Sequence, residues 1–303
     1  MAVSTVKATI NGVQHTLTFN GGTGKYEATL SAPSGSSYNE NAGHYYPVSV
    51  TALDVAGNST TKTDADPTLG DSLKLVVKEK VLPVIAFVTP TNNAVLTNNK
   101  PAFQFTIVDL DSGVDPDTIK LTIGASEITG VSLTKTVITN GYNVTYTPAA
   151  SLPDGTTIIK ADGDDFDGNV AVQKVISIKI DTVAPTLNIS SPSDGLITNA
   201  ASVHVIGVTN DVTSSPVTVT IKLGGVDQGV VALDGGGNFD KTITLAEGSN
   251  IILITSTDGA GKITSITRTV NVDTAAPTIS AVTITPNPVD AGQTYVIAIT
   301  VAD

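Results

Sequence analysis

The 303-residue chain has no cysteine and no tryptophan. The first absence excludes disulfides, thiolate metal centres and a cysteine nucleophile. Aromatic residues reach only 4%, so flat side chains that could stack on sugar rings or bases are scarce. No run of about 18 apolar residues occurs, so no membrane-spanning helix is predicted. Basic residues are few: 16 Lys+Arg stand against 28 Asp+Glu, a formal net charge of -12. That balance repels a phosphate backbone and argues against a nucleic-acid partner. Glutamate is also rare, 5 residues against 23 aspartates. Asp favours turns where Glu favours helices.

What is abundant agrees. There are 45 Thr, 36 Val and 26 Ile, β-branched types that suit pleated strands and lose χ1 freedom in helices. Hydrophobic residues reach 40%, enough to build cores. The expectation is a soluble, all-β chain of several domains.

Internal repeats set the organisation. Asp181-Thr182-Val183-Ala184-Pro185-Thr186-Leu187 recurs 92 residues later as Asp273-Thr274-Ala275-Ala276-Pro277-Thr278-Ile279. A weaker copy is Val81-Leu82-Pro83-Val84-Ile85. Thr89-Pro90 through Leu96-Thr97-Asn98 matches Ser191-Pro192 through Ile197-Thr198-Asn199. An Asp-x-x-Gly turn falls late in each unit, at Asp54–Asn58, Asp165–Asn169 and Asp258–Lys262. Alternating strands flank each copy, which reads as a hairpin with a glycine-dependent turn. The expected units are 1–82, 83–183 and 184–275, followed by a partial segment, 276–303, of two strands. Six or seven short strands per 80–100 residues predict a β-sandwich in each full unit.

These motifs resemble tandem bacterial immunoglobulin-like domains. The resemblance covers 83–303 well and 1–82 loosely, because Val3–Leu30 lacks the Ala-Pro opening. It implies tandem immunoglobulin-like β-sandwiches of the kind found in surface adhesins and in phage structural proteins. No secretion signal is legible in residues 1–20 and no anchor follows Ile299. The expectation is therefore a component of a phage or phage-tail-like particle of a Gram-positive host, found in the virion and extracellular after lysis. It would be a tail, baseplate, fibre or capsid-decoration protein, with other particle proteins, further copies of itself or a host surface polymer as partners. The alternative is a stalk fragment of a bacterial cell-surface adhesin.

A search for chemistry returns little. His15, His44 and His204 stand in no nucleophile motif and in no metal-ligand spacing, so no catalytic residue is expected. Gly235-Gly236-Gly237 and Gly21-Gly22-Thr23-Gly24 lie between strands and lack the helix a phosphate cradle needs. They read as hairpin tips. Tyr38, Tyr45 and Tyr46 form the one dense aromatic patch, read first as packing and second as a sugar platform.

Acidic residues offer the one metal candidate, Ca2+, with no other cofactor expected. Asp162, Asp164, Asp165 and Asp167 crowd before Gly168 in a partial EF-hand pattern, but Gly163 holds the first ligand position and Lys174 the last. Asp109, Asp111, Asp115 and Asp117 form a second acidic loop. Linker Asp181 could join both loops, and interdomain calcium is known in the arrays this chain resembles. The structural reading is a set of solvated, Asp-capped turns. In 276–303, Tyr295, Val296, Ile297, Ile299 and Val301 are candidates for pairing with a partner strand.

Overall fold

The computed structural model describes residues 2–303. They form strands and turns, with two short 3-10 turns at Gly70–Leu73 and Gly130–Ser132 as the helical content. Contacts divide the chain into two compact units, one ending at Ile180 and one running from Asp181 to Asp303.

The first unit opens with a single sheet. Its strands run in the order Lys25–Glu27, Val13–Asn20, Val3–Ile10, Tyr46–Asp54, Ser59–Lys62, and Lys74–Leu75 also pairs with Tyr46–Asp54. The first hairpin turns on Asn11 (φ 46) and Gly12 (φ 73), the left-handed pair whose twist suits a two-residue turn. A second, facing sheet is absent among the described residues of this segment, which differs from the sandwich expected for 1–82. The composition explains the difference. Ser59–Lys62 carries no apolar side chain, and Val6, Ala8 and Tyr46 are the buried apolar residues here. The last strand of this segment is only Lys74–Leu75, with Val76, Val81 and Leu82 exposed.

Two facing sheets follow within the same unit. One has the order Thr134–Ile138, Gly141–Tyr146, Phe103–Val108, Val84–Thr89. The other runs Ser126–Thr129, Lys120–Ile123, Gly155–Asp162, Lys174–Ile180, Ala94–Leu96. Strict alternation sends Phe103, Phe105 and Ile107 inward from one strand and Ile176, Ile178 and Ile180 from another. Each such side chain contributes about 1.5–3 kcal/mol by leaving water. The opening strand changes sheets: Val84–Thr89 pairs antiparallel with Phe103–Val108, and Ala94–Leu96 then pairs parallel with the last strand.

The second unit repeats this plan. Thr186–Ser191, Ser202–Asn210 and Asn238–Thr244 form one sheet. Leu196–Thr198, Ile263–Val272, Gly248–Thr257, Thr218–Leu223 and Val226–Asp227 form the other. Leu196–Thr198 again runs parallel to the last strand. Val205, Ile221, Ile252, Ile254 and Val270 are fully buried between the sheets. Beyond them, Thr278–Thr285 and Val296–Ala302 form a hairpin in which every residue is exposed.

Candidate functional site

The same register opens three segments. Val84 pairs with Val108, Thr186 with Asn210, and Thr278 with Ala302. In each case an acid stands five residues before the first of the pair and another directly after the second. These are Glu79 and Asp109, Asp181 and Asp211, and Asp273 and Asp303, always 30 residues apart. An antiparallel pair in this register brings the two acids to one end of the sheet.

In the first two copies a third carboxylate joins them, from the Asp-x-x-Gly turn. Glu79, Asp109 and Asp165 form one triad, and Asp181, Asp211 and Asp258 the other. One carboxylate oxygen of each member lies within 4.8 Å of the others. All six residues are at most 8% exposed. Among the described residues the ion pairs lie elsewhere, at Lys62–Asp66, Lys74–Asp71, Lys120–Glu127 and His204–Asp240.

Each aspartate spends one oxygen on its own turn. Asp109 Oδ1 accepts from the Asp111 and Gly113 amides at 3.0 and 2.9 Å. Asp258 Oδ1 accepts from Ala260 and Lys262, both at 2.8 Å. Asp211 Oδ1 takes the Thr213 and Ser214 amides, and Asp181 Oδ1 that of Val183. The second oxygens of Asp109, Asp181 and Asp258 are buried with no hydrogen-bond partner.

The triads differ in compensation. In the first, the Asn169 amide donates to Glu79 Oε1 at 2.9 Å and to Asp165 Oδ2 at 2.7 Å, bridging two members. Val81 N–H and Ser112 Oγ add bonds to Glu79. Burial, and then the neighbouring Asp165, pushes the Glu79 carboxyl up. Burial also acts on Asp165, but bonds from the Asn169 amide and from Glu79 hold it below its ordinary value. In the second triad Lys262 stands at the Asn169 position and donates only its backbone N–H to Asp258. All three members are then Asp, and two oxygens lack partners instead of one. Clustered buried carboxylates either share protons or hold a cation.

The structure sorts the sequence candidates. Asp109 and Asp165 meet, with Glu79 as the linker acid beside them, while Asp181 belongs to the other triad. Asp111 instead accepts the Ser36 amide on both oxygens at 3.0 Å, and Asp167 accepts the Glu79 amide at 3.0 Å. These carboxylates tie the first sheet's connecting segments to the sandwich that follows. Asp162 lies on a strand and takes the Gln173 amide. The EF-hand pattern failed because it seeks ligands in one continuous loop, whereas each triad draws on three separated segments. Glu79, Asp211 and Asp258 were missed; the 30-residue acid spacing was the available signal for Glu79 and Asp211, and the repeated Asp-x-x-Gly turn for Asp258.

The aromatic patch is used for packing. Tyr46 is buried, Tyr45 donates to Asp64, and Tyr38 lies between His44 and Phe166. His15 is on a strand and His204 meets Asp240 on an exposed sheet surface. The glycine-rich segment at 235–237 is a fourth Asp-x-x-Gly turn: Asp234 Oδ1 takes the Gly236 and Asn238 amides.

The family model for glucodextranase domain B matches residues 185–274. Among curated proteins none matches the sequence. Three solved structures are similar in fold. Fibronectin(III)-like modules of Clostridium thermocellum CbhA align at 14% identity over 62% of this chain and 94% of that one, with a TM-score of 0.35. An I-band fragment from titin aligns at 10% identity over 89% and 88%, TM-score 0.44. A tetra-tandem repeat in the extending region of a large adhesion protein aligns at 18% identity over 98% and 79%, TM-score 0.34. Facing antiparallel sheets, with an opening strand that changes sheets, define the architecture independently. Residues 84–180 and 186–272 each form a β-sandwich of immunoglobulin-like architecture.

Proposed function

We propose that this chain is a non-enzymatic component of a phage or phage-tail-like particle, in which immunoglobulin-like domains are displayed for surface attachment or for assembly with other particle proteins. The observation that carries the display reading is the threefold recurrence of one opening register, with its acids at fixed offsets, in successive segments. Repetition of a module adds reach and contact number, and many weak contacts sum through effective concentration. The buried charged side chains are carboxylates of turns and linkers, and the histidines stand apart on separate strands and loops, which suits display better than turnover.

The hairpin supports a role in assembly. Ile297, Ile299 and Val301 occupy the positions that Phe103, Phe105 and Ile107 hold in the first sandwich, where all three are buried. They therefore form a core-type face, suited to packing against an apolar sheet of a partner. Tyr295 precedes the strand and Val296 opens it on the other face.

The same array serves equally as the stalk of a bacterial cell-surface adhesin. Mass spectrometry of the native host after DNA-damage induction separates the two. Peptides enriched in sedimentable particles released by lysis are the expected result. Enrichment in the washed cell wall would replace the particle with the stalk.

A further inference from the structure

We propose that the hairpin Thr278–Ala302 of one copy closes over the first sheet of a second copy, so that two partial segments on different chains form one sandwich and copies join head to tail. Each segment matches a different layer of the sandwiches that the chain builds in full. In 84–180 one layer contains the antiparallel run Ser126–Thr129, Lys120–Ile123, Gly155–Asp162, Lys174–Ile180. The first sheet repeats that run as Val13–Asn20, Val3–Ile10, Tyr46–Asp54, Ser59–Lys62. The registers agree. Leu121 pairs with Ala161 and Ile123 with Ile159, four and six residues before Asp165. Ala8 pairs with Val50 and Ile10 with Val48, four and six residues before Asp54. A two-residue turn then follows in both, Gly124-Ala125 and Asn11-Gly12. The hairpin repeats the opposite layer, since Thr278 and Ala302 pair as Val84 and Val108 do.

Both faces are left open. Ile123, Ile159 and Ala161 are buried in the sandwich, whereas their counterparts Ile10, Val48 and Val50 stay partly exposed. On the hairpin, Ile279, Val282 and Ile284 stand opposite Val301, Ile299 and Ile297, and all six are exposed. None of these positions is charged, so closing one face on the other removes apolar area from water without desolvating an ion. Asp54 extends the match. Its Oδ1 accepts from the Ala56 and Asn58 amides at 2.9 and 2.8 Å, and its Oδ2 from the Asn58 side chain at 2.9 Å. Asp165 is held in the same way by Asn169. The hairpin segment has the paired acids, Asp273 and Asp303, without a turn acid, and the first sheet has the turn acid without the pair. Because the two faces differ, the contact is heterologous: a copy whose sheet is covered still presents its hairpin, and the chain of copies stays open.

This contact rests on the assembly role given to the hairpin and not on the particle; it is read on the purified chain, so its failure and that of the particle reading are separate results. Sedimentation velocity of the full chain over a concentration series is expected to show species that grow beyond the dimer. Ile299→Glu charges the hairpin face and Val50→Glu the sheet face, and each variant alone is expected to stay monomeric. An equimolar mixture of the two forms a dimer and stops there, because the intact hairpin and the intact sheet then lie on different chains. Should Val50→Glu unfold the sheet, Val50→Cys answers in its place, as the sole thiol of the chain. Its alkylation by an uncharged maleimide is expected to slow about tenfold at ten times the dissociation constant, and to stay fast when Ile299→Glu is added. A chain that is monomeric at every concentration overturns the proposal. So does thiol protection that is independent of concentration, which would mean closure within one chain. Association of Val50→Glu alone overturns it too, since it would set hairpin against hairpin.

Discussion

Tyr38 stacks on Phe166 with ring centroids 4.2 Å apart and planes 8° apart. His44 covers the opposite face of Tyr38 at 3.9 Å. Phe166 is the second residue of an Asp-x-x-Gly turn, so a repeated structural device here carries a side chain that locks the first sheet onto the sandwich behind it. Offset aromatic pairs contribute about 0.5–1.5 kcal/mol beyond their buried area. Phe166→Ala is expected to raise the rate of proteolysis across residues 76–83 several-fold. The sandwich core stays intact, because Phe166 packs outside it. Unchanged cleavage would mean that the Asp111 and Asp167 hydrogen bonds hold this contact alone.

The fold class was legible because β-branched residues alternate along short segments and because repeats divide the chain. Turns were equally legible, since Asp-x-x-Gly positions its glycine where φ must be positive, as at Gly57, Gly168 and Gly261. The opening sheet was not. Its alternation in Val13–Asn20 looks like that of a sandwich strand, and only the missing apolar complement elsewhere shows that no second sheet faces it. The triads were half legible. Asp109 and Asp165 stood out through local crowding, but Glu79 sits among lysines and hides as a linker residue. Asp211 and Asp258 are isolated in sequence and become neighbours only through strand register.

Ser256 lies fully buried on an inward face, with its Oγ 2.6 Å from Thr209 Oγ1. Thr209 donates its hydroxyl proton to the Thr186 carbonyl at 2.7 Å, so Ser256 must be the donor of the pair. Thr209→Val strands both the Ser256 proton and the Thr186 oxygen. It is expected to cost about 2–3 kcal/mol, against about 1 kcal/mol for Ser256→Ala, which removes a donor and leaves Thr209 bonded to the carbonyl. Urea unfolding followed for the second unit gives the order; equal losses would refute the directional chain.

Gly237 adopts φ 78, and a Cβ there would stand 1.9 Å from the Thr209 carbonyl oxygen. Both the left-handed backbone and the backbone contact oppose any side chain. Gly237→Ala should destabilise the second unit by about 2–4 kcal/mol, while Gly235→Ala, with nothing near its Cβ, leaves it within about 1 kcal/mol. Thermal melts of the two variants make the comparison.

The Asp234 carboxyl is held below its ordinary value by the Asn238 side-chain amide, then by the Asn238 and Gly236 backbone amides. A depressed folded-state value means the ionised group stabilises the fold above the unfolded value, about 3.9, and that this contribution is lost as pH falls through the folded value. Asp234→Asn keeps an acceptor at Oδ1 but removes the charge. The stability gap between the two proteins should therefore be constant at neutral pH and close below about pH 4. A gap that persists at low pH would assign the loss to geometry instead of charge.

The hairpin makes the last case. Val282 and Ile299 sit directly opposite each other and are 55% and 54% exposed. An isolated two-stranded ribbon is marginal in water, and an exposed apolar strand seeks a second surface. Pairing Val282→Lys with Ile299→Glu replaces that contact by a cross-strand ion pair, worth a few tenths of a kcal/mol to about 1 kcal/mol to the ribbon itself. The hairpin's side chains are all exposed, so the change should leave the melting of the adjoining sandwich unaltered. What it should remove is concentration-dependent association of the full chain, read by sedimentation velocity. It should also weaken incorporation into particles if the core-type face is the assembly surface. Full incorporation with the charged face in place would exclude the hairpin from assembly, leaving attachment to the domains before it.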